Sequence, residues 1–161
     1  MISASGCIFL ALDTGKVCLQ LRSDSSKYGG TWSFWGGKGE ENEVPVDTLL
    51  RELREEIGII PDTEKLYPLH KYVSKDKKFE YNAFVLTVYE EFSPQLNYES
   101  AGYCWVNIGM YPKPLHRGAR SVLLSKNINQ KLNTILQAKR THIGKDWVEE
   151  FNNQRLVSNG N

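Results

Sequence analysis

The chain has 161 residues, long enough for one domain with a substantial buried core. Its 40% hydrophobic and 24% charged residues exclude a disordered or fibrous class, and no apolar run reaches the roughly 18 residues of a membrane helix. The formal net charge of +1 gives no overall field for nucleic acid, although Lys126, Lys131, Lys139, Arg140 and Lys145 make the C-terminal part locally basic.

The opening stretch from Ile2 to Leu12 lacks a basic start, so it is read as a strand and not a signal peptide, and the cytosol is the expected compartment. Residues 4–12 form an apolar run, Asp13-Thr14-Gly15-Lys16 a turn, and Val17 to Arg22 a returning strand. A polar stretch leads to the aromatic segment Trp32-Ser33-Phe34-Trp35, and Gly36-Gly37-Lys38-Gly39 is too glycine-rich to expect regular structure. From Val44 to Ile57 apolar residues recur at helical steps (Val46, Leu49, Leu50, Leu53, Ile57), and Gly58 and Pro61 end the helix. Leu66 to Ser74 and Phe79 to Glu90 follow as strands, joined by the charged Lys75–Lys78 turn, with a shorter strand at Tyr103 to Asn107. Arg117 to Ala138 is expected to be mostly helical. The pattern is α/β, a mixed sheet covered by helices, in one domain spanning 1–157 with 158–161 a frayed tail. Cys7, Cys18 and Cys104 are widely spaced without a CxxC pair, which suits reduced, buried thiols better than a disulfide framework or zinc site.

The most informative segment is Arg51-Glu52-Leu53-Arg54-Glu55-Glu56-Ile57-Gly58. At 3.6 residues per turn, Glu52, Glu55 and Glu56 fall within an arc of roughly 100°, beside the stripe through Leu53 and Ile57. Acids in the last turns oppose the helix dipole by about 0.3–1 kcal/mol each, and Glu52 and Glu56 repel each other as an i,i+4 pair. Either the face is solvated and balanced by Arg51 and Arg54, or a divalent cation gathers the carboxylates.

Gly37 is followed after five residues by Glu43, and after seven more by Arg51-Glu52-Leu53-Arg54-Glu55-Glu56-Ile57-Gly58-Ile59. This spacing resembles a complete Nudix box, from Gly37 to Ile59. The resemblance implies a Nudix-like α/β/α sandwich with a central mixed sheet, in which the box forms a loop, a helix and a second loop. It also implies a hydrolase that uses Mg²⁺, with Mn²⁺ a substitute, to cleave the phosphoanhydride of a nucleoside diphosphate derivative. The substrates it allows include ADP-ribose, nucleotide sugars, dinucleoside polyphosphates and nucleoside triphosphates.

Carried over by position, Glu55 and Glu56 resemble the family's metal ligands, joined by the carbonyl of Gly36. Glu52 matches a position that is a metal ligand in some members and a general base in others. Glu43 and Arg51 resemble the pair bracing the helix, and Gly37 and Gly58 the backbone turns of the box. One departure lies beside it: Trp35 stands where the family often has proline. The subclass signatures of NADH and coenzyme A cleavers are not recognised. Lys75, Asp76 and Lys77 stand where ADP-ribose cleavers carry proline and diadenosine polyphosphate cleavers tyrosine.

Outside the box, Glu99 is the candidate general base or extra ligand, with Glu80, Glu90 and Glu91 as competitors and a plain loop acid as the alternative. Trp32, Phe34, Trp35 and Tyr28 could stack on a base or sugar, although strand alternation turns some of them to the core. Arg22 could pair with a phosphate or form a surface salt bridge, and His116 could touch a phosphate or simply open a helix. The partner expected is a small nucleotide, with no membrane; a homodimer is compatible. Two alternatives keep the fold: a catalytically silent nucleotide-sensing module, and a pyrophosphohydrolase of RNA 5′ ends, the latter motivated by the basic C-terminal part.

Overall fold

The computed structural model describes residues 1–59 and 62–141, so Pro61, Lys145 and the expected tail at 158–161 lie outside the described residues. β1 (Ile2–Ala11) is the centre of a seven-stranded sheet. Along one edge it runs parallel to β6 (Phe79–Val88), in register from Ile2↔Phe79 to Ala11↔Val88. Antiparallel to it pair β2 (Lys16–Arg22), at Phe9 and Leu10, and β4 (Trp35–Lys38), from Ala4 to Cys7. β3 (Trp32–Ser33) and β7 (Ser100–Asn107) pair antiparallel with β2, and β5 (Thr63–Val73) with β6. One parallel ladder among antiparallel ones makes the sheet mixed.

The unbroken apolar run of β1 is explained by burial on both faces. Its even positions Ile8 and Leu10, with Leu12 just beyond, join a core with Val17, Leu19, Val85, Val122, Leu123 and Leu132. Its odd positions Cys7, Phe9 and Ala11 join a second core with Trp35, Leu49, Leu53 and Ile57. Helix α1 (Pro45–Ile57) covers the second face; α2 (Arg117–Leu123) and α3 (126–141) cover the first. The result is an α/β/α sandwich. Among the described residues, no helix is long and apolar enough to cross a membrane.

The stretch from Arg117 to Ala138, expected to be mostly helical, is helical on either side of a break at Leu124 and Ser125. Ser125 stands at the N-terminus of α3, and Asn129 Nδ2 turns back to the carbonyls of Leu123 and Ser125 at 2.7 and 2.9 Å, closing the corner. The glycine pair Gly36-Gly37, expected to be irregular, belongs to β4 and pairs with Gly6 and Ser5 of β1. Only glycine fits at Gly36: its φ is +145°, and a Cβ there would lie 2.0 Å from the Ser5 carbonyl oxygen.

The basic residues of α3 are largely consumed within the fold. Lys131 Nζ donates to the Pro68 carbonyl at 2.8 Å, Lys139 pairs with Glu64 at 2.7 Å, and Arg140 Nε donates to the Leu12 carbonyl at 2.8 Å. They clamp α3 onto the sheet, which weakens the reason for expecting an RNA-binding surface there.

Candidate active site

α1 begins with Pro45 in its first turn and ends where Gly58, at φ +78°, donates its N–H to the Arg54 carbonyl at 2.9 Å. Leu49, Leu53 and Ile57 anchor it to the sheet, leaving Val46 exposed. Glu56 sits on the anchored side and is only 2% exposed. Its Oε2 accepts the Gly36 N–H at 3.1 Å, so helix and glycine strand are joined at a buried carboxylate. Gly37 packs against the next acid: a Cβ there would stand 2.5 Å from the carboxyl carbon of Glu52.

Glu99, just ahead of β7, completes a triangle. One carboxylate oxygen from each of Glu52, Glu56 and Glu99 lies within 4.8 Å of the others. Burial, then the charge of Glu99, pushes the Glu56 carboxyl up to about 9, against the opposing Gly36 N–H. Burial also raises Glu52, although the hydrogen bond from Arg51 works the other way. Three crowded, partly dry carboxylates repel one another unless a proton or cation intervenes. Their hard oxygen donors suit a divalent ion such as Mg²⁺.

Arg51 organises the approach to this cluster. Its guanidinium donates to Glu43 at 2.9 and 3.0 Å, to Glu52 Oε1 at 3.0 Å, to Glu55 Oε1 at 3.2 Å and to the Lys38 carbonyl at 2.9 Å. Glu43 also accepts from Thr48 Oγ1 at 2.7 Å and the Glu40 N–H at 3.0 Å. The Arg51 bonds first, then those of Glu40 and Thr48, hold its carboxyl down to about 2. Glu55, expected among the metal ligands, lies outside the triangle: it is exposed and faces Arg51. Glu80 pairs with Lys71 at 3.4 Å, and neither Glu90 nor Glu91 joins the cluster.

On the other side of the glycine strand lies a cleft of about 730 Å³. Gly36, Gly37 and Lys38 form part of its wall, so it adjoins the acids. Phe34 and Tyr81 stack within its lining with centroids 6.3 Å apart and an interplanar angle of 24°. Gly6 makes room for that tyrosine, since a Cβ there would lie 2.0 Å from the Tyr81 hydroxyl. Tyr28 meets His116 edge-on at 5.3 Å, and both line the cleft with Arg22. Arg22 Nε donates to the Lys27 carbonyl at 2.7 Å, while its positive charge helps lower Glu56. His116 Nδ1 accepts the Gly118 N–H at 3.1 Å, capping α2; burial first, then Arg22, lowers its pKa.

Two aromatic residues expected at the substrate are placed elsewhere. Trp35 is wholly buried against α1, its indole N–H donating to the Cys18 carbonyl at 3.2 Å, and offers no face for stacking. Trp32 packs on the opposite core and bridges to Leu115, outside the cleft lining. Tyr81, Tyr72, Phe79 and Lys38, by contrast, line the cleft without any local motif that distinguishes them in the sequence.

The NUDIX domain description matches residues 2–125, most of the chain. The chain belongs to the Nudix family. Two curated relatives match it over shorter stretches. An 8-oxo-dGTP diphosphatase from Proteus vulgaris is 56% identical over 27% of this chain and 38% of its own length. A CTP pyrophosphohydrolase from Escherichia coli K12 is 49% identical over 28% of this chain and 33% of its own. The chain thus spans about a third of the length of these two curated relatives. Among solved structures, a Nudix hydrolase from M. smegmatis, RenU, covers 85% of both chains with a TM-score of 0.62 and 21% identity. The MutT protein from Methanosarcina mazei Go1 covers 83% of this chain and 93% of its own, with a TM-score of 0.59 and 20% identity. These likenesses establish a shared Nudix fold. In this Nudix chain the box runs from Gly37 in β4, through the loop that holds Glu43, to Arg51, Glu52, Glu55 and Glu56 on α1 and Gly58 at its end.

Proposed function

We propose that this chain is a Mg²⁺-dependent pyrophosphohydrolase of nucleoside triphosphates, Mn²⁺ serving as a substitute. The observation that carries the reading is the meeting of Glu52, Glu56 and Glu99 beside an aromatic cleft whose wall includes Gly36 and Gly37, the residues that touch Glu56 and Glu52. In this reading a base lies against the aromatic lining formed by Phe34, Tyr81 and Tyr28, while the phosphates reach toward Arg22 and the acids. The names of the two curated relatives, both triphosphate hydrolases, favour this class over the other substrates the box allows.

In this reading Glu52, Glu56 and Glu99 hold the cation, with the Gly36 carbonyl and Glu55 as supplementary ligands. When bound, such an ion neutralises phosphate oxygens and makes a coordinated water more acidic. Glu99 or Glu52 takes the proton of the attacking water as its oxygen adds to phosphorus. The α–β anhydride bond breaks, and nucleoside monophosphate, pyrophosphate and a proton leave. Arg22 holds a phosphate, and Arg51 with Glu43 keeps the helix acids in register. The active domain spans 1–157. Free thiols at Cys7, Cys18 and Cys104 suit a reducing cytoplasm.

The test is a substrate screen with Mg²⁺ across nucleoside triphosphates, ADP-ribose, nucleotide sugars and dinucleoside polyphosphates. A triphosphate is expected to give monophosphate and pyrophosphate, with ¹⁸O-labelled water marking the phosphorus attacked. Glu56→Gln is expected to lose at least about 100-fold in kcat while keeping its circular dichroism spectrum. Nucleotide binding without product in Mg²⁺ or Mn²⁺ would instead identify a sensing module.

A further inference from the structure

We propose that Asn97 is a positioning residue: its side-chain amide ties the Glu99 loop to the end of α1 and so sets the third carboxylate against the other two. The inference rests on the reading of Glu99 as a metal ligand. Asn97 Nδ2 donates to the Glu55 carbonyl at 3.0 Å, and its Oδ1 accepts the Glu99 N–H at 3.0 Å. One planar amide therefore spans from the backbone beside Glu56 to the backbone of Glu99.

The Glu55 carbonyl lies in the last turn of α1, where helix carbonyls lack partners along the helix. Asn97 satisfies it and reads its position at the same time. On the far side of the loop, the Glu99 carbonyl accepts from the Ser23 N–H at 3.0 Å and from Ser26 Oγ at 3.3 Å. The Glu99 peptide is thus fixed to β2's end by its carbonyl and to α1 by its N–H. Only the second tie refers it to the helix that carries Glu52 and Glu56. Without it, the three residues between Pro94 and Tyr98 keep, among the described residues, only one hydrogen bond, the backbone turn from Ser100 N–H to the Asn97 carbonyl at 3.2 Å.

The amide cannot be replaced by its nearest relative. Aspartate keeps the acceptor for the Glu99 N–H but has no donor for the Glu55 carbonyl, and it adds negative charge at a helix C-terminus. Both Asn97→Ala and Asn97→Asp are therefore expected to loosen the cluster.

The experiment measures Mn²⁺ binding by electron paramagnetic resonance of the free ion, without substrate, together with kcat and KM. Glu99→Gln and Asn97→Ala are each expected to weaken Mn²⁺ binding by about 10-fold, the scale typical of groups that orient a ligand. Asn97→Asp is expected to fall as far as Asn97→Ala. The double variant Asn97→Ala/Glu99→Gln is expected to bind no more weakly than Glu99→Gln, because Asn97 acts through Glu99. The loss in turnover falls on kcat, with KM kept. If Glu99→Gln weakens binding but Asn97→Ala binds as the parent does, or the two losses add, the bridge is overturned alone. If Glu99→Gln itself binds Mn²⁺ as the parent does, Glu99 leaves the ligand set and the role of Asn97 goes with it.

Discussion

Arg51 meets Glu43 with two parallel hydrogen bonds, Nε to Oε2 at 2.9 Å and Nη2 to Oε1 at 3.0 Å. The third guanidinium nitrogen is left for Glu52 and Glu55, so one planar cation braces the loop before α1 and the acids on it. A lysine has the charge but not the geometry to serve these partners together. Arg51→Lys is expected to remain folded and to lose about 10–100-fold in turnover, the usual scale for a group orienting metal ligands. Steady-state kinetics beside a circular dichroism spectrum decide it; parental turnover would mean that charge alone suffices.

The two glycines of β4 forbid a methyl group for different reasons, and their variants should separate. At Gly36 the obstacle is backbone, the Ser5 carbonyl oxygen, in a conformation that disfavours any side chain. Gly36→Ala is expected to lower the Tm markedly. At Gly37 the obstacle is the movable carboxylate of Glu52. Gly37→Ala is expected to stay folded while displacing Glu52 and cutting kcat by at least about 10-fold. Thermal melts and kcat measured on both proteins test the contrast. Equal stability losses with equal kcat would remove it.

The Nudix box was legible because its glycines, acids and arginine lie close together in sequence, and a single helix brings them together. Glu99 could be named as a candidate, but its place beside Glu56 depends on β7 pairing with β2, a long-range fact. The aromatic segment shows the limit more sharply. Phe34 and Trp35 are neighbours on opposite faces of the sheet, one in the cleft lining and one in the core beneath α1. Alternation requires one of them to turn inward, but only the placement of α1 decides which. The glycine strand was hidden for another reason. Glycine signals a loop by propensity, whereas here it marks a close approach by Ser5 and Glu52.

The metal-free protein should lose stability as the pH rises. The Glu56 carboxyl is held up at about 9, chiefly by burial and then by the charge of Glu99, while in an unfolded chain it titrates near about 4.3. Between these values the folded form keeps a proton that the unfolded form has lost, so stability falls with rising pH. Glu43 adds no slope there, because its lowered pKa of about 2 makes its stabilisation complete above the unfolded value. The lowered pKa of His116 acts in the opposite sense near neutrality, but equally in a Glu56→Gln variant. In a chelator, the parent Tm is expected to drop from pH 5 to pH 8.5 more steeply than that of Glu56→Gln. Added Mg²⁺ should raise the parent Tm most at the alkaline end. Parallel Tm profiles would refute this protonation of Glu56.

His116 is expected to act on substrate affinity rather than on the chemical step. Its Nδ1 is committed to the Gly118 N–H, which fixes the neutral ring with its proton on Nε2. Burial and Arg22 keep the ring from charging near neutrality, so it offers the cleft a single neutral donor. Such a donor prefers a base with a carbonyl oxygen or unprotonated ring nitrogen at that point. His116→Asn separates this role from capping, since asparagine caps helices well but is too short to put a donor where Nε2 stands. The Tm should hold, kcat should stay within about twofold, and KM should rise by about 10-fold, the value of one hydrogen bond. A fall in kcat at constant KM would place His116 with the reacting groups. An unchanged KM would remove it from base recognition, leaving Phe34 and Tyr81 to hold the base by stacking.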